Sequence, residues 1–160
     1  MDQKLSAITQ IFKTNNFLFD NAFNDINRED LLKRPLENGN SMLFIGGHIT
    51  LYRYSIGNLI GLNNEKPWES LFARGVKITS EAKYPTFEAI KEHWDMITNQ
   101  IFPRFETVSS EELSQTTPFD LPTSDKTICG AIGFMALHET YHIGQLAYIR
   151  KLLGYNQLVG

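Results

Sequence analysis

His138 and His142 stand four residues apart in the string His138-Glu139-Thr140-Tyr141-His142. On a helix that spacing projects both imidazoles from one face, a turn apart, where they can reach the same ion. Both fall on a stripe shared with Met135, Leu146 and Ile149, which turns them toward a bundle interior. A single core histidine is usually satisfied by a carbonyl, but two stacked in one stripe each need a partner of their own. His48 lies on the inner face of an earlier helical segment, so two helices bring three nitrogens inward. A metal site is the functional reading of this trio, and a satisfied polar core is the competing one.

The same string matches the HExxH pattern of zinc proteases, in which the glutamate is the general base. Those enzymes take a third ligand downstream, and none of the eighteen residues after His142 is Asp, Glu or His. The third ligand must then come from upstream, most simply His48. No strand alternation offers a place for a peptide substrate, and the protease reading is set aside. Three protein nitrogens plus water is the arrangement of a catalytic zinc site rather than a closed structural one. Such an ion acts as a Lewis acid or lowers the pKa of bound water to about 7, and it deprotonates a coordinated thiol. Imidazole ligands suit zinc, nickel, copper and iron alike.

Around the trio, Gln145 can orient a ligand or serve as a packing amide. Glu139, about 100° around the helix from His138, can act as a base, orient an imidazole, or face solvent or another helix. Tyr52 and Tyr141 are pocket or core residues. His93, among Lys91, Glu92 and Asp95, reads as a surface histidine. Cys129 is two and a half turns from His138 and reads as a small core residue, and Gly144 as a point of close helix approach.

Four long helical segments must position these residues. In the first, Leu5, Ile8, Phe12, Phe19, Phe23 and Ile26 mark an apolar face that Ile11, Leu18 and Ala22 widen. Asn27, followed by Arg28, Glu29 and Asp30, has the form of the cap and acidic first turn of a short helix. Pro35 and the Asn38-Gly39-Asn40 cluster end it. A second long helix runs from about Ser41 to Ile60 and stops at Gly61. Residues 62–85 form an irregular connection with one short helix around Trp68, Leu71 and Phe72, and connections of that length are often functional.

A third long helix starts after Thr86 and should kink or end early at Pro103. Ser109 and Glu112 have capping-box spacing for another short helix, and the last long helix runs from about Thr127 to Gly154. Its inner face reads Ile128, Ala131, Met135, His138, His142, Leu146, Ile149 and Leu153. The expected fold is all-α, an antiparallel four-helix bundle with one or two short extra helices, forming a single domain over 1–160.

The chain's 160 residues are enough for one core, and its composition is that of a globular protein. A net charge of −3 without a basic block argues against nucleic acid or an anionic membrane as partner. One cysteine excludes an internal disulfide, and no apolar run reaches the roughly 20 residues of a membrane span. The opening residues lack the order of a secretory signal. Together these point to a cytoplasmic protein acting on a small molecule.

His48 after Gly46-Gly47 (GGHITLY) and the later HETYHIGQLAYIRKLLG resemble the DinB/YfiT-like family of metalloenzymes. The diagnostic string is HxxxHxGQ, here His138, His142, Gly144 and Gln145, followed by an apolar turn, a basic residue and Leu-Gly. The resemblance spans nearly the whole chain, and all three of the family's metal positions are intact. It implies a four-helix bundle, one divalent metal ion (zinc or nickel, with iron also open) on His48, His138 and His142, and frequently a homodimer. Related members are transferases or isomerases that use a low-molecular-weight thiol. A metal-binding or dimerising bundle without catalysis and a metal-dependent hydrolase are the alternatives.

Overall fold

The structure is a computed structural model that describes residues 2–37, 39–76 and 83–159. Asn38 of the Asn38-Gly39-Asn40 cluster, and positions 77–82 of the long connection, lie outside the described residues. Four long helices, α1 (Gln3–Phe23), α2 (Met42–Leu59), α4 (Phe87–Thr107) and α6 (Ile128–Leu152), form the bundle. Two short ones, α3 (Glu69–Phe72) and α5 (Ser110–Ser114), accompany them. Among the described residues there is no strand, only an isolated bridge between Thr116 and Thr127.

Each long helix begins where a side chain can take an orphan amide. Asp2 caps α1, Ser41 caps α2, Thr86 caps α4 and Thr127 caps α6. Each accepts a hydrogen bond from an N–H that has no carbonyl partner in the first turn. Ser109 and Glu112 form the expected reciprocal capping box on α5. Gly61, at φ +86°, follows the end of α2, and Gly154, at φ +87°, that of α6.

One expectation is corrected, and at Pro103 the early end is excluded. The segment after Asn27 is not a helix but consecutive turns, with Asp30 N–H bonded to Asn27 O and Lys33 N–H to Asp30 O. Tyr155 pins it, since its hydroxyl accepts from Asn27 N–H and donates to Asp30. The third long helix runs through Pro103 to Thr107. Pro103 and Asn99, whose carbonyl loses its N–H donor, are both exposed, so water can replace the missing bond.

Residue contacts give the helix directions. α1 and α4 are antiparallel, with Phe12 against Phe105, Phe19 against Trp94 and Phe23 against Phe87. α2 and α6 are antiparallel as well, and their facing sides carry His48, His138 and His142. The pairs α1/α6 and α2/α4 run parallel: Asn15 bonds Thr140 and Ala22 O bonds Arg150, while Tyr54 bonds His93 and Ile60 O bonds Arg104. Parallel neighbours cannot be joined by a tight turn. The connection between α2 and α4 has to return along the bundle, which accounts for its length.

The core is divided along its axis. One apolar cluster gathers Phe19, Phe23, Phe44, Trp94 and Ile143, and the other Phe12, Tyr54, Ile97, Phe105 and Met135. Between them lies a polar layer centred on Arg53, only 2% exposed. Its guanidinium donates to both Glu139 oxygens at 2.9 Å, to Asn16 Oδ1, to Thr98 Oγ1 and to Phe12 O. It also lies 3.5 Å over the Trp94 ring. One side chain on α2 therefore touches α1, α4 and α6.

On α6, Ile128, Ala131, Met135, Leu146 and Ile149 are buried as expected; the buried face also takes in Ile132, Ala136, Glu139 and Ile143, and the two histidines sit half-buried at its edge. A glutamate at the centre of a core has no hydrophobic signal, and its position depends on a partner from another helix. Ile11 is 43% exposed and does not widen the α1 face.

Candidate metal centre

The two glycines that precede His48 let α1 and α3 pack closely against α2. A Cβ on Gly47 would stand 2.3 Å from the Phe72 ring, and one on Gly46 2.9 Å from that of Phe23. Phe72, the last residue of α3, is thus seated directly on α2, and its carbonyl oxygen lies 2.7 Å from His48 Nδ1. A carbonyl can only accept, so Nδ1 carries the proton and Nε2 presents its lone pair to α6.

His142 is fixed in the same way from its own helix. Its Nδ1–H donates to Gln145 Oε1 at 2.7 Å, and the Gln145 amide donates in turn to the Tyr141 hydroxyl. Its Nε2 lies 3.2 Å from His138 Nε2, which lies 3.3 Å from His48 Nε2. Ligand atoms around a tetrahedral zinc, at 2.0–2.1 Å from it, stand about 3.3–3.4 Å apart.

Burial holds all three imidazoles in the neutral form that binds metal. It pushes His138 down to about 3, assisted by His142, His48 and the Arg74 charge. It pushes His142 to about 4, against the opposing effect of Gln145. His48 is lowered by burial too, partly offset by the Phe72 carbonyl. His138 Nε2 can give its one proton to only one neighbour, whereas a cation satisfies three converging lone pairs at once. The donor set therefore fits a divalent ion, with ligand atoms all within 4.8 Å of one another.

The cluster opens into a cleft of about 480 Å³. Phe44, Tyr52, Phe134 and Met135 line its helical side. Arg74, Gly75 and Val76 form a wall from the connection after α3, and Asp120, Leu121 and Pro122 another from the loop before α6. The connection after α3 and the loop before α6 thus both shape the cleft. The Tyr52 ring stands 4.7 Å from that of His48 and 4.9 Å from that of His138.

The other singled-out residues lie elsewhere. Glu139 is turned into the core and held by Arg53, so its carboxylate does not face the cleft. His93 is half-buried rather than a surface residue, with Nδ1 2.8 Å from the Tyr54 hydroxyl and its ring against Trp68. Cys129 is half-buried beside the second apolar cluster, away from the histidines. Gly144 permits no close approach, since a Cβ there would meet nothing within 4 Å. Arg53 and Arg74 had no sequence signal, because a lone arginine acquires meaning only from what surrounds it.

A family model described as the DinB superfamily matches residues 12–146, a span that includes all three histidines. No curated protein matches the chain.

Proposed function

The chain belongs to the DinB superfamily, and from that premise we propose that it is a metal-dependent enzyme using His48, His138 and His142 as ligands, of the thiol-dependent S-transferase type. One observation carries the proposal: two of the three converging imidazoles are anchored at Nδ1, so their Nε2 atoms are aimed before any ion arrives. A divalent ion there would supply Lewis acidity and stabilise the thiolate of a low-molecular-weight thiol at neutral pH. The protein's own residues do the rest. Phe72 O and Gln145 hold the ligands in one tautomer, Tyr52 covers the imidazoles, and the cleft admits a small electrophile beside them.

Glu139 has no free carboxylate for general-base work on the cleft side. This favours a transferase over a hydrolase of the HExxH kind, which needs that base. The test is metal analysis of protein purified without an affinity tag, followed by conjugation of a model electrophile with several thiols. Zinc or nickel should co-purify or raise the melting temperature, and His48→Ala should abolish conjugation. Activity that survives in His48→Ala would remove the metal from the mechanism, and a chain that binds no ion would remove the site.

The same reading includes a homodimer. Leu137, Tyr141, Tyr148 and Leu152 form an exposed apolar stripe along α6, each more than 40% exposed. Sedimentation as a monomer at micromolar concentration would exclude it.

A further inference from the structure

Arg74 is the one arginine or lysine among the described residues that line the histidine cleft. It is exposed, and among the described residues no carboxylate pairs with it. The acid across the cleft, Asp120, is directed to Lys126 at 3.5 Å. Nor does Arg74 sit on a loose loop. It occupies a turn closed by Val76 N–H to Ala73 O, with Gly75 at φ +83° supplying the left-handed residue that the turn needs. That turn directly follows α3, whose Phe72 carbonyl fixes His48. One short unit therefore sets the orientation of a ligand and presents a guanidinium to the same cleft.

A guanidinium with no carboxylate partner among the described residues, at the mouth of a partly apolar cleft, is suited to an anion, because its planar fork matches carboxylate and phosphate oxygens. Opposite it, Leu121, Pro122 and Phe134 offer apolar surface. We propose that Arg74 is a specificity-determining residue that selects substrates carrying a carboxylate or phosphate group joined to a small apolar body. This deepens the proposed function, since it assigns a substrate class to the same cleft.

The test uses probes without a thiol, so it does not depend on thiol chemistry: hexanoate, hexyl phosphate and the neutral hexanol. Their binding to the full-length chain is measured by calorimetry, with and without added zinc. We expect the better anion to bind about tenfold more tightly than hexanol. The advantage should disappear in Arg74→Gln and return in part in Arg74→Lys, with unchanged zinc content and circular dichroism. The two anions distinguish a carboxylate site from a phosphate site. Anions that bind no more tightly than hexanol, or an advantage that survives Arg74→Gln, would overturn the inference. Failure of zinc binding or thiol conjugation instead counts against the proposed function, and the Arg74 comparison without zinc is still read.

Discussion

His142 reaches the cluster already tied at its other nitrogen, and that tie is the residue-scale feature most open to experiment. Gln145 accepts the Nδ1 proton at 2.7 Å and is itself braced by Tyr141. Removing such a partner typically costs 10–100-fold in metal affinity. Gln145→Ala should therefore weaken zinc binding by at least about tenfold, measured by competition with a chromogenic chelator, without changing the helical signal. An affinity equal to that of the parent protein would show that the amide plays no part. In the sequence, ligand positioning and packing are equally good readings of this glutamine. The spacing of three residues allows the contact, but which way an amide turns depends on its surroundings.

At the scale of elements, the unit that matters is α2 with α3 seated upon it. Gly47 leaves room for the Phe72 ring, and Phe72 supplies the carbonyl that fixes His48. Gly47→Ala should force the buried ring outward and drag α3 with it. We expect a loss of about 1–3 kcal/mol in stability, as for other overpacked sites, together with weaker metal binding. Denaturant unfolding and a metal titration on the same variant check both. A destabilised protein with full metal affinity would separate α3 from ligand positioning.

The helices themselves were readable from sequence because caps and apolar spacing are local. The capping box of Ser109 and Glu112 and the stops at Gly61 and Gly154 fell where the pattern put them. The turn after Asn27 was misread because Tyr155, which holds it, is 128 residues away. The helix does not end early at Pro103, whose tolerance depends on both it and Asn99 facing solvent.

For the whole molecule, the decisive feature is the polar layer that separates two apolar half-cores. Arg53 and Glu139 are 2–3% exposed and paired bidentately, so removing one leaves the other charged and buried. Arg53→Met should cost about 3–5 kcal/mol in unfolding free energy. Joining it with Glu139→Leu should recover most of that, because the pair's own net contribution is small once both charges are gone. Urea unfolding of the two single variants and the double variant measures the coupling, and additive losses would deny it. The layer lies at the level of His138, one residue from Glu139 on α6. We expect the double variant to fold and still to lose zinc affinity, because the register between α2 and α6 is no longer specified.

By itself the sequence determined the all-helical bundle and the helix faces that carry His48, His138 and His142. Each rests on periodicity or capping, which operate within a few residues of chain. Only the tertiary structure decided that Glu139 is a core residue committed to Arg53, that α2 and α4 run parallel, and that Arg74 shares the cleft with the histidines. Those features are pairings between distant segments. A charge in a sequence carries no mark of the partner that burial will give it.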